Sequence, residues 1–385
     1  MMRDEVVCAL ALARISGIGA RKFRRIVDAL GCAARAFEMS AAELASTCNI
    51  SERDARAIEQ FSGWDEVEVE LIRCQKRGID VIPLTSESYP RLLKLIPDAP
   101  PAIYVKGRLE PEDELAIAVV GTRSPTAYGR RTARRLAGAL AGGGFTIVSG
   151  LAAGIDESAH KGALDAGGRT IAVLGSGMNN IYPARNTELA ERIAERGALI
   201  SELPPHIPPA PENFPKRNRI ISGLALATVV VEAPHRSGAL ITAKYALEQG
   251  RELFAVPGNI DSRSSTGTNR LIQSGAYLAD SAKTIAQVAV KAAENLLGVQ
   301  TAGAARIPPD EGETAAGDAP PAELVELAES ERKVLDAIGF NEPINIDDII
   351  EKSGLASGEV LGIVIGLELK GLIEALPGMQ YIRRR

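Results

Sequence analysis

Short apolar runs recur through the middle of the chain, at residues 115–120, 145–148, 171–174, 198–201, 228–232, 253–256 and 277–279. Between them apolar residues return at helical spacing. A run that is apolar at nearly every position has no solvent face, so these segments read as strands covered on both sides. Their alternation with helices predicts an α/β class with a doubly wound, mostly parallel sheet over residues 113–297. Two more runs, 79–84 and 102–105, are separated by the proline-bearing SYPRLLKLIPDAPP. That interruption predicts edge strands and a covering loop in a connecting segment, 63–112.

The flanks follow a different pattern. In residues 1–62, Phe23, Ile26, Val27 and Leu30 fall at helical spacing after a Gly17-Ile18-Gly19 turn, and Gly31 follows as a stop. A second helix is expected over 51–61, with Ser51 and Asp54 at capping-box spacing. Residues 298–322 are rich in Ala, Gly, Pro and acids without periodicity and read as a flexible linker. Beyond it, helices over 324–338, 346–352 and 357–370 and a hairpin over 371–384 predict a winged helix in residues 323–385.

Composition narrows the class. With 385 residues, 45% hydrophobic and 24% charged, the chain is long enough for two or three domains, and its net charge of -5 excludes a globally basic coat. A polyanion site would have to be a local patch. The four cysteines, Cys8, Cys32, Cys48 and Cys74, are dispersed without metal-ligand spacing, and no run reaches membrane-spanning length. A cytoplasmic protein without cofactor or metal is expected.

Charge is distributed unevenly. No acidic residue lies between Glu114 and Asp156, or between Glu212 and Glu232, while Arg123, Lys216, Arg217 and Arg219 fall in these islands. Arg123 follows the first strand of the sheet, where an open parallel sheet presents its ligand edge. Gly, Ser, Thr, Asn and Arg dominate the loops after the other strands, which predicts one shared anion-binding crevice. Phe214, Tyr182 and Tyr128 stand in or beside these loops, as stacking groups or as core plugs. Arg130, Arg131, Arg134 and Arg135 read mainly as solvated helix surface. Arg21, Lys22, Arg24 and Arg25, after the glycine turn, resemble a helix-hairpin-helix that either holds a DNA phosphate or serves as a packing module. Rival motifs fail: the glycines at 175–177 lack the third glycine of a dinucleotide loop, GTRSPT is not a phosphate-binding P-loop, and Asp156, Glu157 and His160 lack a matched nucleophile.

GTRSPTAYG, VSGLAAGID with His160, LGSG with YPARN, SELPP through FPKRNRIISGL, VVVEA with SGALIT, and GRELFAVPGN with GTNRLI occur in that order. Together they resemble the DNA-processing protein A family, also called DprA or Smf. The flanks are similar to the sterile-alpha-motif-like and winged-helix domains of many members. The resemblance implies an extended Rossmann-like fold that binds single-stranded DNA without sequence preference, forms a homodimer and loads the RecA recombinase in natural transformation, without catalytic turnover. Carried onto this chain, it makes Arg123 a phosphate clamp, with Ser149 and Gly150 lining the cup. Lys216, Arg217, Asn218 and Arg219 form the opposite wall, and Gly238 and Thr242 the floor. Arg185 and Asn186 of YPARN, and Phe214, complete the DNA-binding set. The alternative is a nucleoside monophosphate phosphoribohydrolase. Such enzymes carry a PGGxGTxxE-type loop, and SGALITAKYALE lacks its glycine pair and offers only Glu248 at a different spacing.

Overall fold

The computed structural model describes residues 4–298, 328–339, 343–369, 372–376 and 378–383. These fall into two compact units, one ending by residue 310 and one beginning after it. The expected linker lies outside the described residues apart from Gly298, as do the start of the helix expected at 324 and the basic tail Arg384 and Arg385.

In the first unit, nine strands form one sheet. They are β1 (Ile79–Pro83), β2 (Ala102–Gly107), β3 (Ala116–Val120), β4 (Thr146–Ser149), β5 (Thr170–Val173), β6 (Ala198–Ser201), β7 (Ala227–Val230), β8 (Glu252–Ala255) and β9 (Tyr277–Leu278). Their spatial order is β1-β2-β6-β5-β4-β3-β7-β8-β9. From β6 to β9 every pairing is parallel, whereas β2 runs antiparallel to both β1 and β6. The sheet is thus the doubly wound arrangement expected, extended at one edge by the two strands of the connecting segment.

Five helices precede the sheet: α1 (Glu5–Arg14), α2 (Ala20–Leu30), α3 (Ala41–Cys48), α4 (Glu52–Glu59) and α5 (Trp64–Gln75). Their apolar faces share one core with the sheet, since Leu12, Phe23 and Ile26 belong to the same buried cluster as Ile103, Val105 and Val120. Ser51 caps α4 through the Asp54 amide (3.1 Å), but the Asp54 carboxylate turns to Lys22 (2.6 Å) rather than back to the cap. Arg24 donates to the carbonyls of Lys94 and Ile96, and Arg25 to that of Asn49. Three of the four basic residues of α2 are therefore held by protein groups, which opposes the phosphate-holding reading of this turn.

The SYPRLLKLIPDAPP segment is a plug as well as a cover. It forms one short helix, α6 (Arg91–Lys94), buries Leu92, Leu93 and Ile96, and seats the Tyr89 hydroxyl on the carbonyl of Pro100 at 3.0 Å.

The crossovers are α7 (Ala127–Gly142), α8 (Ile155–Asp165), α9 (Thr187–Arg196), α10 (Asn213–Gly223), α11 (Gly238–Glu248) and α12 (Thr266–Gln273), and α13 (Ala282–Leu297) follows the last strand. From β3 the chain winds outward through β4, β5 and β6, then returns to place β7 on the other flank of β3. This reversal leaves a crevice outside the carboxyl ends of β3 and β7, the usual ligand position in such sheets.

The second unit contains α14 (Glu329–Ala337), β10 (Ile344–Asn345), α15 (Ile346–Ser353), α16 (Ser357–Leu369), β11 (Ile373–Leu376) and β12 (Gln380–Arg383). The three strands pair in the order β10-β12-β11 around a core that includes Val334, Ile349, Val364 and Ile373. The hairpin is present as expected. The two-residue β10 is too short to have left a periodic signal.

Candidate functional site

The loop after β3 is fixed before it meets any ligand. The Thr122 amide donates to the Glu232 carbonyl at 2.7 Å, tying the ends of β3 and β7 together across the reversal point. The Glu232 carboxylate, buried, accepts from the Thr126 amide at 2.9 Å and its hydroxyl at 2.6 Å at the start of α7. Gly129 is required above it, because a Cβ there would lie 2.4 Å from Glu232 Oε2. Arg123 is carried outward on this braced loop.

The loop after β4 is held by Asp156, in the first turn of α8. Its carboxylate accepts from the amides of Gly150 (3.1 Å) and Ala152 (3.4 Å). Opposite it, Arg217 of α10 donates Nη1 to the carbonyls of Gly150 (2.8 Å) and Val173, and Nε to Asn218 Oδ1 at 3.2 Å. A side chain at Gly150 would meet both, at 2.6 Å from Arg217 Nη2 and 2.8 Å from Asp156 Oδ2. Burial pushes the Asp156 carboxyl up, and the Arg217 charge with the two amides pulls it back. Burial likewise brings Arg217 down to about 10, with Asp156 opposing and Arg123 adding to the fall. Asp156 and Arg217 thus form a buried clamp on the loop, not an exposed acid/base pair.

Between these loops and the starts of α10 and α11 lies a cleft of about 510 Å³. Arg123, Phe214, Asn218, Arg236, Gly238 and Thr242 are among the residues that line it. The guanidinium carbon of Arg123 sits 5.3 Å from the centre of the Phe214 ring, and the Tyr182 ring lies 5.6 Å from that of Phe214, tilted by 47°. Phe214, Arg217, Asn218 and Ile221 share one helical face and reach the cleft together. Asn218 donates to the Gly238 carbonyl at 3.3 Å and so couples α10 to the start of α11. A Cβ at Gly238 would meet nothing within 4 Å, so the backbone there is open to an incoming group. Arg123 and Arg236 are exposed cations on facing loops, a placement suited to successive phosphates.

Five residues of the expected set do not face the cleft in the expected way. Ser149 is fully buried and donates to the Val119 carbonyl at 2.6 Å, because it ends an interior strand. Gly150 has both backbone groups taken by Asp156 and Arg217. Asn186 is buried and donates to the Leu151 carbonyl at 3.0 Å, holding a residue at φ 56°. Arg219, on another face of α10, pairs with Glu202 at 2.5 Å and with Asp98 at 3.5 Å. Arg123 and Arg219 therefore do not converge on one rim. Lys216 is exposed but does not line the cleft.

Arg185 faces Glu157 at 3.6 Å in a neighbouring groove that also contains Arg123, and Arg217 lines the cleft while spending its hydrogen bonds on the loop. Glu202 pairs with Arg219, whereas Glu232 holds Thr126. His160 is fully buried. Thr170 donates its one hydroxyl proton to the Ile147 carbonyl at 2.7 Å, so the 2.7 Å contact with His160 Nδ1 carries the histidine proton. Among the described residues no cluster of His, Cys, Asp or Glu could hold a metal ion, and no helix is long and apolar enough to cross a membrane.

Sequence reasoning passed over Arg236. Its signal was present, a basic residue in a Gly/Ser loop following a strand, but the nearby Glu232 broke the acid-free island that drew attention elsewhere.

A family model described as DNA recombination-mediator protein A matches residues 80–290, which span the whole sheet from β1 to β9. The chain belongs to the DprA family. A DprA winged helix domain model matches residues 318–379. Protein Smf of Escherichia coli K12 is 41% identical over 334 residues, covering 86% of this chain and 84% of that protein. DNA processing protein DprA of Bacillus subtilis is 44% identical over 229 residues, 59% of this chain and 76% of that one. Among solved structures, DprA of Streptococcus pneumoniae superposes with a TM-score of 0.65 at 31% identity, covering 74% of this chain and 98% of its own. DprA of Helicobacter pylori, described for its unique single-stranded DNA binding mode, has a TM-score of 0.50 at 29% identity, covering 55% of this chain and 96% of its own. The DprA fold thus accounts for the extended sheet, the helical N-terminus and the winged helix.

Proposed function

We propose that the cleft binds single-stranded DNA without sequence preference, and that the protein shields the strand and passes it to the RecA recombinase, as a homodimer and without turnover. The observation that carries this reading is Arg123 laid over Phe214 beside the open backbone at Gly238. A guanidinium for a phosphate next to an aromatic face for a base is the combination single strands require, and duplex DNA hides its base faces. Residues 113–297 supply the binding face. The single-stranded DNA binding mode of the Helicobacter pylori relative supports the same substrate class.

The test is a competition between oligo-dT and duplex of equal length for the full chain. Preference for the single strand, with a log-log salt slope of about -0.7 per phosphate neutralised, is expected. Equal affinity for both forms would remove the reading. Incubation with nucleoside monophosphates should release no base.

A further inference from the structure

Arg130, Arg131, Arg134 and Arg135 of α7 are exposed, as expected of a solvated helix surface, and three of them also line a groove. Arg123 is shared between the cleft and a second groove of about 340 Å³, whose one wall is Arg130, Arg131 and Arg134 of α7 and whose other wall carries Glu157, Lys161 and Arg185. Arg131 and Arg134 then line a shallower depression between α7 and α8, floored in part by Gly138 and Gly162. Gly162 permits that close approach, because a Cβ there would lie 2.2 Å from the Arg134 carbonyl oxygen. Three depressions sharing lining residues in turn make a continuous path away from the cleft.

The two walls of the groove differ in free charge. Glu157, the only carboxylate lining it, accepts from Lys161 at 2.6 Å and faces Arg185 at 3.6 Å. That one carboxylate offsets half of the positive charge of its wall. On the α7 wall, Arg130 gives one Nη1 to the Pro125 carbonyl at 2.8 Å, and Arg134 reaches Asp165 at 2.5 Å while staying exposed. Arg131 is exposed and has no ion-pair partner among the described residues. Arg130 and Arg134 are one helical turn apart, about 6 Å along the axis, and each presents a fork suited to a phosphate.

We propose that this groove is a second phosphate track. A single strand that has filled the cleft passes Arg123 and continues along the α7 wall, with Glu157 as the internal counter-charge that limits its affinity there. The proposal rests on the cleft being the single-stranded DNA site. It predicts a dependence on strand length that the cleft alone does not produce.

The experiment compares oligo-dT of about 4 and about 16 nucleotides, the two ends of the range of single-strand site sizes, on the full chain. Wild type, Arg131→Glu and Glu157→Gln are each checked for unchanged thermal unfolding. The longer strand should bind wild type with the steeper salt slope. Arg131→Glu should weaken the longer strand several-fold and make its slope shallower by about 0.7, leaving the shorter strand unchanged. Glu157→Gln should tighten the longer strand alone. Equal changes at both lengths, or none at either, would overturn the track. Failure of wild type to bind either length would instead overturn the reading of the cleft, and the track with it.

Discussion

Arg217 Nη1 lies 2.8 Å from the carbonyl oxygen of Gly150, and this one hydrogen bond joins α10 to the loop after β4 beneath the cleft. The arginine that the sequence marks as a phosphate ligand is thus first a structural part, with its guanidinium directed at backbone carbonyls and its charge set against Asp156.

Replacing Arg217 by Ala should therefore destabilise the protein before it affects any ligand. Its loss takes a donor from the buried Gly150 and Val173 carbonyls and a compensating charge from Asp156, at a cost of about 1–3 kcal/mol for a buried group left unsatisfied. Urea unfolding should show the midpoint fall by a corresponding amount. A midpoint within experimental scatter of wild type would mean that Asp156 does not depend on Arg217.

Arg123 behaves in the opposite way. It is exposed and its guanidinium rests against the Phe214 ring, so Arg123→Ala should change stability by no more than about 1 kcal/mol. Binding of oligo-dT should weaken, and the salt slope should become shallower by about 0.7. Titrations at several salt concentrations measure both. An unaltered slope would take Arg123 out of the phosphate contacts.

Phe214 is positioned by a residue that has no side chain. A Cβ on Gly175 would lie 2.6 Å from the Phe214 ring, so Gly175→Ala should push the ring from its place beside Arg123. Phe214→Ala should cost roughly 1–3 kcal/mol of binding per stacked base. Gly175→Ala should reproduce part of that loss, and isothermal titration of both variants with oligo-dT gives the comparison. Full affinity in Gly175→Ala alongside a weakened Phe214→Ala would show that ring position does not matter.

His160 gives a pH dependence of definite sign. Burial, and next the charge of Arg217, push its pKa down from 6.5 to about 3. Between those values the unfolded chain binds the proton and the folded chain does not, so stability is complete above about pH 6.5 and declines as the pH falls toward 3. The slope is about 1.4 kcal/mol per pH unit for one proton. Asp156, with its folded pKa raised, contributes in the opposite direction at acid pH. The difference between wild type and His160→Asn isolates the histidine. A difference that does not vary with pH would overturn the assignment.

The strands β3 to β8 were legible because each is apolar and lies inside the sheet, where nothing competes with the hydrophobic pattern. The edge strand β9, in contrast, is exposed at both Tyr277 and Leu278 and is not covered on both sides as its apolar run predicts. The site was legible only in part. Arg123 and Phe214 stood out by residue type and by position after a strand or at a helix start, and the structure brings them together. Arg219 shared the same local signal, but its partners Glu202 and Asp98 come from distant parts of the chain, and an acid-free window has no means of seeing them. Ser149 and Asn186 were misplaced for a related reason, since a polar side chain in a loop motif can satisfy the backbone behind it as readily as a ligand in front. The α7 arginines show the converse. Their spacing is that of any solvated helix, and only the packing of α8 against α7 turns them into one wall of a groove.

The shared interior of Leu12, Phe23 and Ile26 with Ile103, Val105 and Val120 bears on how this molecule can be dissected. Cutting away the first sixty or so residues would bare the apolar side of the sheet to water, and the truncated protein would aggregate whatever the missing piece recognises. Deletion would therefore report on folding, and single exchanges on the exposed side of α2, beginning with Arg21, are the way to ask that segment about DNA.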